Sequence, residues 1–376
     1  MKRILIFSVA YHPFIGGAEV AVKEITDRIS DASFEMITLN LDGKQPSQEK
    51  IGNVLVHRIG NSGKVAKLLF PFKASAYASR LHAENKFDVM WSIMASFSGF
   101  AALFFKKKYK DVHFLLTLQE GDPISYIKRQ VWFVYPWFKQ IFRYADAIQA
   151  ISHYLADFAR SMGARGTISV VPNGVDMKLF SAPITDAMLE ATREELGIQD
   201  GERVLITTSR LVKKNGIEDV IRALPHLPHS LKFVIVGSGP LELKLRQTVS
   251  ELRLESRVLF VGQKPYQELP KYLAVSDIFI RPSLSEGMGN SFIEAMAARV
   301  PIIATPVGGI TDFLIDNETG IFCKVQDPKS IRIAIEKILD NPSLSDSIRA
   351  KAWDKIQDIY EWEPIAVKLK HLLTIS

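Results

Sequence analysis

The chain has 376 residues, enough for two domains of roughly 150–200 residues each, and its 47% hydrophobic and 23% charged content is that of an ordinary globular protein. With 47 basic against 41 acidic residues the formal charge is +6, a mild excess that permits an anionic ligand or membrane surface and argues against a nucleic-acid binder. A single cysteine, Cys323, excludes an intrachain disulfide and fits a reducing, cytoplasmic compartment.

Met1-Lys2-Arg3 followed by an apolar run superficially resembles a signal peptide. The run is short, however, and Tyr11-His12-Pro13 follows without a small-residue cleavage site, so a buried first strand is expected. Further short runs rich in Ile, Val and Phe predict strands at 36–39, 89–92, 113–117, 147–150 and 169–171. The second half repeats the style at 203–208, 232–236, 257–261, 277–281 and 302–304. Amphipathic segments between them argue for parallel sheets covered on both faces, one doubly wound α/β domain in each half. The longest nearly apolar run, 93–105, falls short of the about 20 residues a spanning helix needs.

Pro172-Asn173-Gly174 punctuates a strand end, and Ala182-Pro183 breaks the chain before a helix at 186–196. The domain boundary is therefore expected within 176–201, giving an N-terminal domain at 1–180 and a C-terminal domain at 198–356. The last segment, 357–376, reads as a helix interrupted near Pro364 that packs back on the first domain. Two such domains facing each other would present their strand C-termini to a shared cleft, where ligands of doubly wound sheets bind.

Several strand ends carry loops suited to phosphate. Gly16-Gly17, within 11–19, lets backbone approach a ligand closely but lacks the dinucleotide glycine pattern. Ser209-Arg210-Leu211-Val212-Lys213-Lys214 puts cations after a strand; it is either a solvated charged loop or a phosphate clamp. Val236-Gly237-Ser238-Gly239 and Gly308-Gly309 are glycine turns at two further strand ends. The most informative run is Glu286 through Glu294, enclosing Gly287-Met288-Gly289-Asn290-Ser291. A glycine-rich turn feeding a helix offers free amides to phosphate. Carboxylates would repel phosphate but accept from hydroxyls, so the pattern describes a sugar nucleotide. Ser291 and Glu294 also spell a capping box, a role partly exclusive with holding a ribose.

Taken in order, Gly16-Gly17, Pro172-Asn173-Gly174, Ser209-Arg210-Leu211, Val236-Gly237-Ser238-Gly239, the Glu286–Glu294 run and Gly308-Gly309 resemble the retaining glycosyltransferases of family 4, with the GT-B fold. The resemblance covers most of the chain and is strongest over 170–327. It implies that Arg210 and a nearby lysine hold the donor's diphosphate, that Glu294 binds the ribose and that Glu286 faces the transferred sugar. It further implies backbone contacts from Met288, Gly289, Asn290 and Ser291 to sugar and phosphate. The Gly16-Gly17 loop would lie near donor phosphate and acceptor, and Gly262 beside the base. Asn173 belongs to the same donor set.

The chain departs from the family pattern in three places. Relatives often carry Lys-Gly where Asn215-Gly216 stands, with Lys214 one place early, so either Lys213 or Lys214 reaches phosphate. A histidine common after the 113–117 strand is replaced by Gln119-Glu120-Gly121-Asp122. An amide cannot shuttle a proton; either Gln119 only hydrogen-bonds the sugar, the favoured reading, or Glu120 or Asp122 takes over. His12 and His153 remain as site histidines or structural ones. Arg299 stands where glycine is common.

The chemistry expected is transfer of a sugar from a UDP- or GDP-sugar to a glycan or lipid-linked acceptor, with no cofactor. Retention of configuration comes from the resemblance alone. Arg210, Lys214 and Glu286 would form the catalytic set, and Gln119 and Glu120 the acceptor side. No Asp-x-Asp metal motif lies near the phosphate loops, so side-chain cations are expected in place of Mg²⁺. Basic and aromatic residues mix over 100–110 and 126–144, which suits either docking on the anionic inner face of a membrane or buried helices with snorkelling cations. The alternatives from other classes are a noncatalytic sugar-nucleotide-binding protein and a nucleotide-sugar epimerase on the same fold.

Overall fold

The computed structural model describes residues 1–14 and 16–374, so Ile15 of the first glycine loop and the last two residues of the C-terminal segment lie outside the described residues. The chain divides into two compact units. One is Met1–Gly174 joined by Trp362–Ser376, and the other is Val175–Glu361.

The first unit contains β1 (Lys2–Phe7), β2 (Ala32–Leu39), β3 (Gln48–Ile51), β4 (Val54–Ile59), β5 (Val89–Ile93), β6 (His113–Leu118), β7 (Ala147–Ala150) and β8 (Thr167–Val170). They form one sheet in the order β3-β4-β2-β1-β5-β6-β7-β8, parallel except for the β3–β4 hairpin. The apolar start of the chain is thus an inner strand, paired with β2 and β5. Its Ile4 and Ile6 are buried with Ala21, Val22 and Ile25 of the helix Gly17–Arg28. Buried Trp91 donates to Thr117 Oγ1 at 2.7 Å, Thr117 to Gln149 Oε1 at 2.7 Å, and Gln149 to the Val171 carbonyl at 2.9 Å. That relay satisfies the polar groups of four successive segments inside an apolar layer.

The second unit contains β9 (Arg203–Thr208), β10 (Leu231–Val236), β11 (Val258–Gly262), β12 (Ile278–Arg281), β13 (Ile302–Ala304) and β14 (Ile321–Phe322). Their order is β11-β10-β9-β12-β13-β14, all parallel. Leu205, Phe233, Ile278 and Ile303 from the strands are buried with Ile221, Leu245 and Ile335 from the covering helices. In each sheet the chain winds outward from one inner strand and then crosses to its other side. The order reverses between β1 and β5 in the first unit and between β9 and β12 in the second. Loops leaving the carboxyl ends of those strands border the crevice where such sheets bind ligands.

Some elements differ from the sequence reading. The β3–β4 hairpin was not anticipated: Gln48-Glu49-Lys50 is a polar edge strand without an apolar face. The two-residue β14 is too short to leave a pattern. The first unit ends at Gly174, so the 176–201 stretch belongs to the second. The C-terminal helix begins at Trp362 rather than 357, and Pro364 sits in its first turn, where no intrahelical bond is lost. This helix packs on Gly17–Arg28. Gly174 is pressed so closely on Trp362 that a Cβ would lie 2.5 Å from the indole. Where the chain passes between units its two segments run side by side, with Val175 donating to the Tyr360 carbonyl at 2.7 Å. Among the described residues no helix is long and apolar enough to cross a membrane.

Candidate functional site

The loops at the reversal point of the second sheet are stitched to one another. After β9 the chain runs Ser209-Arg210-Leu211 into a 3-10 turn, Lys213–Asn215, and Gly216 takes φ +68°. A side chain at Gly216 would place its Cβ 2.1 Å from the Pro282 carbonyl. Buried Asn215 donates through Nδ2 to the Arg210 carbonyl at 2.7 Å, fixing the turn. Leu284 N–H donates to the Lys214 carbonyl at 2.6 Å. The arginine loop and the loop carrying Glu286, far apart in sequence, are therefore bonded through backbone.

The glycine turns close the same constellation. Gly237, at φ +141°, abuts the Ser209 carbonyl, which a Cβ would meet at 2.0 Å. Leu211 N–H donates to Ser238 at 3.0 Å, and Gly237 N–H to the Gly262 carbonyl at 2.8 Å. Gly309 N–H donates to the Glu286 carbonyl at 3.2 Å, and a Cβ on Gly308 would lie 1.8 Å from that oxygen. Arg210, Lys214, Gly237, Gly262 and the 286–294 run thus come together at the carboxyl edge of one sheet.

The electrostatic centre of this edge is Arg281, which the sequence reading recorded only as the end of a strand. It is 6% exposed; its guanidinium donates to Ser291 Oγ and to Glu286 Oε2, each at 2.8 Å, and lies 4.3 Å above the Phe292 ring. Burial lowers its pKa, while the charges of Glu286 and Glu294 act the other way. A lone cation closing the apolar strand Ile278-Phe279-Ile280 was the signal available in sequence. Glu286 Oε1 also accepts from Gly287 N–H at 3.2 Å. Glu294 is buried, and desolvation pushes its carboxyl up to about 7 against the nearby Arg281 charge.

The capping box does not form. The helix Asn290–Ala297 is capped by Gly289 at φ +92° with no side-chain bond, and Ser291 lies inside it, accepting from Arg281. Glycine at the cap brings no side-chain oxygen of its own to the first amides of the helix. Met288 is buried, so it offers backbone rather than side chain. Thr208 Oγ1, Ser209 Oγ, Ser283 Oγ and Arg281 Nε are buried here without a protein partner. Unpaired buried polar atoms are costly, and four at one sheet edge mark a place where a polar ligand or water completes them. Arg210 is exposed and makes no ion pair among the described residues; Lys213 is exposed and Lys214 half-buried.

Gly16, Gly17, Gln119, Glu120 and Asn173 lie in the first unit. Gly16 caps the helix Gly17–Arg28. Asn173 Nδ2 donates to Gln119 Oε1 at 3.1 Å, engaging the oxygen of the amide expected to meet the sugar. Glu120, at the end of β6, accepts from Ala95 N–H at 2.6 Å; its other oxygen is buried without a partner, and desolvation pushes the carboxyl up to about 7. Met94, just after β5, adopts φ +68°, a conformation that costs free energy outside glycine. His12 is held below its ordinary pKa by burial and the Lys23 charge. His153 is exposed at the start of the helix His153–Ser161. Arg299 takes φ +56° and sets its guanidinium 4.5 Å over Trp353, which accounts for a side chain where glycine is common.

Two family descriptions match the chain, Glycosyltransferase Family 4 over 15–179 and Glycosyl transferases group 1 over 189–355. A GDP-mannose-dependent monoacylated alpha-(1-6)-phosphatidylinositol monomannoside mannosyltransferase of Corynebacterium glutamicum is 30% identical over 61% of this chain, which spans 62% of that relative's length. N-acetyl-alpha-D-glucosaminyl L-malate synthase of Bacillus anthracis is 24% identical over 95% of this chain and 93% of its own. In fold, the chain is similar to sucrose-phosphate synthase from Thermosynechococcus elongatus, with TM-score 0.86 at 24% identity over 99% of this chain and 98% of the other. Anabaena HepE, solved with UDP and glucose, gives TM-score 0.82 at 18% identity over 100% of both chains. Its two doubly wound sheets and both family matches together establish that the chain belongs to the glycosyltransferases of family 4, with the GT-B fold.

Proposed function

We propose that the protein transfers a hexose from a UDP- or GDP-sugar to a hydroxyl of a glycan or lipid-linked acceptor, with retention and without a metal. The second unit binds the donor and the first the acceptor. The observation that carries this reading is the Leu284–Lys214 backbone bond, which gathers cations, helix-start amides and both glutamates at one sheet edge. Arg210 and Lys214 take the diphosphate oxygens, aided by amides around Gly289, Asn290 and Ser291. Glu294 accepts from the ribose hydroxyls and Glu286 from the transferred sugar. The Gly262 backbone borders the base.

Breaking the anomeric carbon–oxygen bond builds negative charge on the diphosphate. Fixed cations and amides aimed at that charge supply the largest catalytic contribution. On a front-face route the leaving phosphate oxygen takes the acceptor's proton, and no enzyme nucleophile is needed. The names of the relatives support nucleotide-sugar chemistry with either base: HepE was solved with UDP and glucose, and the corynebacterial relative is GDP-mannose-dependent. A lipid-linked acceptor is supported by the phosphatidylinositol substrate named for that relative, and we assign the protein to the cytoplasmic face of a membrane.

The test is Arg210→Ala assayed with UDP- and GDP-sugars in the presence of chelator. We expect kcat to fall by about 10²–10³-fold, the size of losing one oxyanion donor, with the melting temperature unchanged. Unaltered turnover would overturn the assignment. Conversion of donor to an epimer without acceptor would identify an epimerase, and donor binding without turnover a binding protein.

A further inference from the structure

Three helical stretches of the first unit, 63–83, 97–110 and 123–145, contain no aspartate or glutamate. Together they hold twelve lysines and arginines, more than the chain's whole formal excess of +6, so the rest of the molecule has more acidic than basic residues. The stretches adjoin one another. The helix Lys64–Glu84 packs along Phe97–Lys108, which packs on Tyr135–Tyr144. Rings run across them: Phe72 stacks on Phe104 with centroids 5.2 Å apart, and Phe100 lies 6.5 Å from Phe104 and 6.3 Å from Phe138.

Beside Leu103, Phe105, Phe138 and Ile141, which these helices bury, a second set of apolar residues lies in solvent. Trp132 is 74% exposed, Phe133 61% and Trp137 52%, and on the first helix Leu68 and Phe72 are 59% and 62% exposed. Neither Ile124–Gln130 nor Trp132–Val134 has a single buried residue. Buried helices with snorkelling cations would not leave these large apolar side chains in solvent. Only Lys106 follows that pattern, buried and paired with Asp146 at 2.6 Å. Contiguous exposed aromatics mark an interaction surface. Tryptophan and phenylalanine interleaved with Lys and Arg, and no acidic residue among them, complement an anionic bilayer rather than a mixed-charge protein surface.

We propose that this face docks the protein on an anionic lipid bilayer, with Trp132, Phe133, Trp137, Leu68 and Phe72 entering the headgroup region while Lys128, Arg129 and Lys139 meet lipid phosphates. The proposal deepens the acceptor side of the reading above and rests on it only in assigning the acceptor to the bilayer. Docking itself is read without catalysis.

The test is flotation of the full chain with phosphatidylcholine vesicles, with and without phosphatidylglycerol, at low and high salt. Binding is expected only with the anionic lipid and weakens with salt. Lys128→Glu with Arg129→Glu, and separately Trp132→Ser with Phe133→Ser, should each lower the bound fraction about tenfold or more, while the donor-induced thermal shift stays at the wild-type value. Trp132→Ser alone, at an exposed site, serves if a double variant does not fold. Wild-type protein that fails to float with anionic vesicles, floats equally with neutral ones, or binds only an acidic protein overturns the proposal. A donor shift without flotation sinks docking and spares transfer; flotation without a donor shift does the opposite.

Discussion

Arg281 is held in place by everything around it: a carboxylate and a hydroxyl accept from it, and an aromatic ring lies beneath its plane. Removing it would leave Glu286, largely withdrawn from solvent, beside no opposite charge. Breaking one side of a buried pair costs about 3–5 kcal/mol, whereas replacing both partners with uncharged groups costs far less. Arg281→Met should therefore lower stability by about 3 kcal/mol in a urea melt, and adding Glu286→Gln should restore most of it. No recovery in the double variant would show that the arginine acts by packing alone. The two carboxyls pushed up to about 7, Glu120 and Glu294, make a second prediction at this scale. Each keeps its proton in the folded chain at a pH where the unfolded chain, titrating near 4.5, has lost it. The folded state binds more protons across that window, so stability falls as pH rises from about 4.5 to 7, by about 1.4 kcal/mol per pH unit for each group. Glu294→Gln should remove one group's share of the slope, measured by denaturant melts at several pH values.

Among the elements, the glycine turns divide into those that touch a neighbour and those that do not. A Cβ at Gly308 would collide with the Glu286 carbonyl, whereas at Gly262, φ +76°, it would meet nothing within 4 Å. Gly308→Ala should displace Glu286 and cut kcat/KM on the order of 10²-fold, since misplacement by 1 Å has that effect. Gly262→Ala should cost only about 1–2 kcal/mol of left-handed backbone strain, with kcat nearly unchanged. Steady-state kinetics and thermal melts on both variants separate the two outcomes. Such loops also set what a reader of the chain could see. Glu286 and Glu294 were visible because their spacing around a glycine turn is unusual, and inner strands such as Ile4-Leu5-Ile6-Phe7 because burial on both faces leaves an unbroken apolar run. Arg281 was not, because Ser291 and Phe292 follow Gly289, the cap at which the helix Asn290–Ala297 starts, and meet the arginine only in the folded chain. The contact between Asn173 and the Gln119 amide oxygen was not legible either, because 54 residues separate them in the chain.

At the scale of the whole molecule, the sequence order of the chain and its division into units do not coincide. Trp362, Ile365, Leu369 and Leu372 are buried in the first unit's core although they lie beyond the entire second unit. Removing everything after Glu361 should therefore damage the first unit and spare the second. We expect such a truncation to lower the first unit's melting temperature or make it aggregate, while proteolysis leaves 175–361 intact; an unchanged first unit would contradict the packing of Trp362 on Gly174. During synthesis this geometry fixes a timetable. The second unit has all its residues as soon as Glu361 leaves the ribosome, whereas the first, made earlier, waits for its last helix with an apolar groove open. A chaperone that binds nascent chains would find its client in the older half of the polypeptide.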